Sequence, residues 1–139
     1  MNVESVCIVV VEDDDGHATL IEKNLRRAGI ANELVRLRDG QEALDYFAST
    51  ERAAACVVLL DIKMPRVDGV EVLRTLKQNP GTATTPVIML TTTDDPREIE
   101  RCYDLGCNVY ITKPVEYERF IEAVRRMGLF LQVIKVPQA

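Results

Sequence analysis

Four carboxylates in a row follow an apolar run. In VCIVVVEDDDGH the residues Val6 to Val11 give way to Glu12, Asp13, Asp14 and Asp15. Like charges so close together repel, so something is expected to hold them there. Other residues that can do chemistry stand at the ends of later apolar runs. Asp61 closes ACVVLLD, Thr91 closes PVIMLT, and Thr112, Lys113 and Pro114 close NVYITKP. Three converging carboxylates, Glu12, Asp13 and Asp61, suit a hard divalent cation. Magnesium typically takes one or two carboxylates directly and keeps waters and a phosphate oxygen. A lysine ammonium and a threonine hydroxyl are what the remaining oxygens of a phosphoryl group need. Each piece alone has a plainer explanation, since an acid after a strand is usually an exposed cap and a Lys-Pro pair a turn. It is their joint occurrence at strand ends that points to a site.

For those residues to meet, the chain must place its strand ends along one edge. The runs SVCIVVVE, NELVRL, ACVVLLD, PVIMLT and NVYIT alternate with helical patterns. The first, third and fourth are almost continuously apolar, as strands buried on both faces of a parallel sheet are. Three helix starts are marked by an N-cap followed three residues later by Glu: Asp39 with Glu42, Asp68 with Glu71, and Asp95 with Glu98, where Pro96 takes the first helical position. Asp14 and Asp15 are expected to begin the first helix, whose unpaired N–H groups and dipole favour anions. The second helix is expected to bury Ala43, Leu44 and Phe47, and the third Val70, Val72, Leu73 and Leu76, while NPGTATTP reads as a loop. Five β-α repeats imply right-handed crossovers and an α/β fold: a doubly wound, five-stranded parallel sheet with helices on both faces. In such sheets ligands collect at the carboxyl ends of the strands, near the switch in strand order.

The totals are compatible with one domain spanning 1–139. The chain has 139 residues, 47% hydrophobic and 28% charged, with a formal net charge of −5. That balance and the lack of a basic stripe argue against nucleic acid as a partner. No apolar run approaches the length that spans a bilayer, and the first residues do not resemble a signal peptide, so a cytoplasmic address with no membrane partner is expected. Cys7 and Cys56 lie inside apolar runs as small core residues, and neither they nor Cys102 and Cys107 show zinc-type spacing.

The segments VVVEDD, VVLLDIKMPRVDG, PVIMLTT and VYITKP, in that order, resemble the receiver domains of two-component response regulators over roughly residues 5 to 127. The resemblance implies a flavodoxin-like (βα)5 fold and a phosphoprotein rather than an enzyme: a switch that takes a phosphoryl group on Asp61 from a sensor histidine kinase. It further implies that Glu12, Asp13, Asp61 and the backbone carbonyl of Lys63 hold magnesium or manganese, and that Thr91 and Lys113 bind the phosphoryl oxygens. Tyr110 would be the aromatic that turns inward when Thr91 moves. Thr92 stands where the family commonly has Ala, Gly or Ser, so it should narrow access. Lys63 and Thr93 occupy positions that tune the phosphate lifetime. The chain's one histidine, His17, reads as a solvent-facing helix residue, which puts the donor histidine on another molecule.

The last helix should run from Glu116 to about Met127, and residues 128–139 add an apolar extension. If helical, the extension puts Leu129, Val133 and Val136 on one face with Phe130 and Ile134 beside them, which suggests a homodimer through the last helix and tail. The apolar tail ending in VP and the segment LKQNP resemble stand-alone response regulators that partner bacterial and cyanobacterial phytochrome kinases. Two rival readings on similar chemistry are a magnesium-dependent aspartyl-phosphate phosphatase and a non-phosphorylated docking module. The first would need an acid two residues beyond Asp61, where Lys63 stands. The second fits poorly with a complete set of acids, Thr and Lys. Flavin binding is disfavoured, because acids rather than a Ser/Thr/Gly-rich loop follow the first strand.

Overall fold

The computed structural model describes residues 6–49 and 55–135. Strands β1 (Cys7–Val11), β2 (Leu34–Leu37), β3 (Cys56–Leu60), β4 (Val87–Thr91) and β5 (Val109–Thr112) alternate with helices α1 (Asp15–Arg27), α2 (Gly40–Ala48), α3 (Gly69–Gln78), α4 (Pro96–Leu105) and α5 (Tyr117–Lys135). All strand pairings are parallel, in the order β2-β1-β3-β4-β5. The direction of winding therefore reverses between β1 and β3, whose ends carry Glu12 and Asp61.

The three runs read as doubly buried strands are buried at every position. Their side chains alternate between two cores, as the period of a strand requires. Val9, Val11, Val58 and Leu60 pack under α2, α3 and α4 with Ala43, Phe47, Leu73 and Leu76. Ile8, Val10, Val57 and Leu59 face the other way, toward Leu25 of α1 and Phe120, Ile121 and Val124 of α5. Leu44 is only partly buried, while Val70, Val72, Leu73 and Leu76 are all buried as expected. The four cysteines are buried in the first of these cores. Burial pushes Cys7 and Cys102 up to about 11 and Cys107 to about 12, because a thiolate would lose its hydration there.

The caps form where expected, with one change of partner. Asp14, Asp39 and Asp68 each accept from the N–H three residues on, whereas Asp95 accepts from Arg97, two residues on. Glu42 returns its bond to the N–H of Arg38, one residue before the cap, rather than to the cap itself as a capping box would. Helix α5 continues to Lys135, eight residues past Met127. The side chains of Leu129, Phe130, Val133 and Ile134, and Val136 altogether, lie outside the described residues.

Candidate functional site

Every strand that ends in a chemically useful residue delivers it to the same edge. The β1 ladder closes with the Glu12 N–H donating to the Leu37 carbonyl at 3.0 Å, and β3 closes with the Asp61 N–H donating to Val11 at 3.1 Å. These two bonds set Glu12 and Asp61 side by side. One oxygen each of Glu12, Asp13 and Asp61 lie within 4.8 Å of one another. Glu12 is 2% exposed and Asp61 9%, while Asp13 faces solvent.

Lys113 arrives from the far end of the chain. Its Nζ donates to Glu12 Oε1 at 2.6 Å and to Asp61 Oδ2 at 3.3 Å. Burial raises the Glu12 carboxyl above its ordinary value, and the Lys113 ammonium pulls the other way. Two carboxylates out of water thus share one cation, and the third acid, Asp13, has no ion-pair partner among the described residues. Such a donor set, all oxygen and short of positive charge, fits a hard divalent ion. Lys113 Nζ also stands 3.3 Å from His17 Nδ1. An ammonium only donates, so the imidazole nitrogen is the acceptor. His17 is half-exposed, as the sequence suggests, yet its ring reaches the site.

Asp61 is oriented from below. Its Oδ1 accepts from the Ile62 N–H at 2.7 Å, which leaves Oδ2 toward Lys113. The start of α3 presses on the same backbone. Gly69 donates to the Ile62 carbonyl at 2.8 Å, and a Cβ on Gly69 would stand 2.0 Å from the Asp61 carbonyl oxygen. Only glycine permits that approach. The segment RVDG was legible as a helix start, but nothing in it announced that the glycine braces the strand end.

The acidic turn has an arrangement of its own. The Asp14 N–H donates to Glu12 Oε2 at 3.2 Å, and Asp14 Oδ1 accepts from the His17 N–H, which holds the exposed Asp14 carboxyl below its ordinary value. Arg36 of β2 donates through Nε to the Glu12 carbonyl at 2.8 Å, and its Nη1 lies 3.1 Å from Asp15. Arg38 Nη1 donates to the same Asp15 oxygen at 2.7 Å. The two guanidiniums lower the Asp15 carboxyl. The four acids are therefore two pairs, with Glu12 and Asp13 turned to the site and Asp14 and Asp15 engaged in the turn and helix. Neither arginine carried a signal in the sequence, since alternating charge on a short strand reads as a solvated face.

Across the site the bonds are sparser. Thr91 is fully buried, and its Oγ1 accepts from the Thr93 N–H over 3.4 Å. Thr93 Oγ1 is buried without a hydrogen-bond partner among the described residues. The Tyr110 ring is turned inward, 4% exposed, and its hydroxyl donates to the Thr93 carbonyl at 2.6 Å. Burial raises that phenol well above its ordinary value. Lys63 and Thr93 both line a groove of about 480 Å3 that also takes in Ile62, Met64, Asp68, Glu98 and Arg101. Thr92 is exposed.

Comparison with known proteins agrees with this geometry. A sequence model of the response regulator receiver domain matches residues 8–125. The crystal structure of a response regulator receiver domain from Rhodospirillum rubrum is 53% identical, covers 92% of this chain and 94% of its own, and superposes with a TM-score of 0.77. The phosphorylated cyanobacterial phytochrome response regulator RcpA is 33% identical over 90% of this chain and 92% of its own, with a TM-score of 0.74. A probable methanogenesis regulatory protein, FilR2 of Methanothrix harundinacea, is 37% identical over 128 residues, 88% of this chain and 83% of that protein.

Proposed function

The chain belongs to the response regulator receiver family, and from that premise we propose that it is a stand-alone phosphorylation switch whose acceptor is Asp61. The observation that carries this reading is Lys113, whose Nζ bridges Glu12 and Asp61 at 2.6 and 3.3 Å beside three clustered carboxylates.

A carboxylate oxygen of Asp61 attacks the phosphorus of a phosphohistidine on a partner kinase. The new O–P bond forms as the P–N bond breaks, and the electron pair of that bond returns to the donor imidazole. A carboxylate nucleophile carries no proton to be removed, so no general base is required. The Ile62 N–H and the Gly69 contact hold the carboxylate in place for in-line attack. Two negative groups must approach each other, and Lys113 is placed to neutralise part of that charge. Glu12, Asp13, Asp61 and the Lys63 carbonyl are the ligands we assign to magnesium or manganese. A bound divalent ion supplies the remaining charge neutralisation.

Thr91 and Lys113 then bind the phosphoryl oxygens. Reorientation of the Thr91 hydroxyl gives up its long bond to the Thr93 N–H, and the Thr93 carbonyl is the acceptor that holds Tyr110 inward. The output is a shift in population at the face made by α4, β5 and α5. Lys63 and Thr93, which line the groove, and the exposed Thr92 control access and phosphate lifetime.

We assign residues 5–127 to the receiver core and 128–139 to an extension that forms a homodimer through Leu129, Phe130, Val133, Ile134 and Val136. The continuation of α5 to Lys135 supports that assignment. Likeness to RcpA supports a phytochrome-type kinase as the input. Phosphotransfer from such kinases, with oligomeric mass measured before and after, tests both parts. Wild type should take up label and Asp61→Asn should not. Uptake by the variant would sink the acceptor assignment, whereas failure with phytochrome-type kinases but success with others would remove only the light input.

A further inference from the structure

We infer that Arg36, on the edge strand β2, is a positioning residue for the metal-binding turn; the inference rests on the reading of Glu12 and Asp13 as magnesium ligands. The register pairs Arg36 with Val10 at the end of β1, so its side chain leans over the turn that follows. Two contacts and one unpaired nitrogen define its place. Nε donates to the Glu12 carbonyl at 2.8 Å, Nη1 reaches Asp15 at 3.1 Å, and Nη2 is buried with no partner among the described residues. One rigid, planar group thus ties the first residue of the turn to the first residue of α1. Asp13 lies between those two anchors and makes no hydrogen bond of its own with the described residues that would fix it.

The Arg36 side chain is only 21% exposed and lines a small cavity with Val10, Ala18, Thr19, Glu22 and Leu34. That confinement separates it from Arg38, whose side chain is 60% exposed and whose guanidinium reaches Asp15. A fork with donors at fixed angles can hold a carbonyl and a carboxylate simultaneously, whereas a lysine is a point charge and cannot. Leaving Nη2 unbonded in a buried place is unfavourable. The two bonds to the turn are what the side chain offers in return.

Two physical roles for Arg36 predict opposite signs. As a mere positive charge near a cation site, Arg36 would weaken magnesium binding by repulsion, and its removal would tighten it. As a positioning group, its removal loosens the turn and weakens binding. Groups that orient metal ligands typically contribute about 10-fold or more to affinity.

The experiment titrates magnesium chloride into the full chain while following the backbone amide resonances of Asp13 and Asp61. Arg36→Ala should raise the magnesium Kd roughly 10-fold. Arg36→Lys keeps the charge and the aliphatic stem but loses the fork, and it should also bind several-fold more weakly. Metal-free melting curves of both variants check that the fold is intact, and Arg36→Lys carries the test if Arg36→Ala fails to fold. Wild-type affinity in Arg36→Lys, or tighter binding in Arg36→Ala, would overturn the inference and leave the site assignment standing. A wild-type chain that binds no magnesium would overturn both.

Discussion

The two halves of the site are bonded very differently. On the acidic side nearly every polar group of the β1–α1 turn is engaged: Glu12 by Leu37, Arg36, Asp14 and Lys113, Asp14 by His17, and Asp15 by two arginines. On the hydroxyl side the Thr91 carbonyl takes the Lys113 N–H at 2.8 Å, but among the described residues its side-chain hydroxyl keeps one bond of 3.4 Å and the Thr93 hydroxyl keeps none. The first half is built to stay in place and bind charge. The second can change its bonds at small cost, which is what a switch requires, because a conformational equilibrium shifts easily only when its two states differ by a few kcal/mol.

The strongest way to break the acidic half is to remove Lys113. Lys113→Ala leaves Glu12 and Asp61 without their shared cation, and loss of one partner of a buried ion pair costs on the order of 3 kcal/mol or more. Thermal melting of the metal-free variant should show that loss, and phosphotransfer should fall steeply. The deficit should also depend on pH. Burial raises the folded Glu12 carboxyl above its ordinary 4.5, so the folded chain holds that proton more tightly than the unfolded one. Glu12 therefore favours folding below about pH 4.5, and that contribution is lost as pH rises through the raised value. Removing Lys113 raises the carboxyl further, so the variant's deficit should be largest at neutral pH and shrink in acid. A deficit that does not vary with pH would show that Lys113 acts through packing instead.

Magnesium should act in the opposite sense. At ten times its Kd it should stabilise the wild type by about 1.4 kcal/mol, read as a rise in Tm. Asp13→Asn should lose most of that rise, since Asp13 has no other role in the bonding of the turn. A wild-type melting curve indifferent to magnesium would count against the three-carboxylate site.

The hydroxyl half should yield smaller numbers. Thr91→Val replaces a buried hydroxyl that makes one long bond, so stability should change by less than about 1 kcal/mol. The response to phosphorylation should nonetheless vanish, seen as unchanged Tyr110 resonances after phosphodonor is added. The smallest effect belongs to Thr93→Val. It deletes an orphaned hydroxyl in a side chain of nearly the same shape, and denaturant melts should move within about 0.5 kcal/mol in either direction. A large loss at either position would mean that the hydroxyl half is as tightly held as the acidic one.

Much of this was readable along the chain. Continuous apolar runs marked the doubly buried strands, and Asp14, Asp39, Asp68 and Asp95 marked helix starts, because caps and periodicity are local and need only neighbouring residues. The residues Glu12, Asp13, Asp61, Thr91 and Lys113 were found by the same means, from their places at strand ends. Arg36, the Gly69 contact and the reach of His17 were not, since each depends on a partner distant in sequence.

What the amino-acid order determined by itself is therefore the alternation of strands and helices and the chemical types delivered to each strand end. What tertiary structure alone decided is which atoms meet. Lys113 finds Glu12 across 101 positions of sequence, and Arg36 finds the Glu12 carbonyl across 24. The physical reason is that hydrogen bonds and ion pairs act over about 3 Å, while only the parallel register of all five strands brings such distant residues that close.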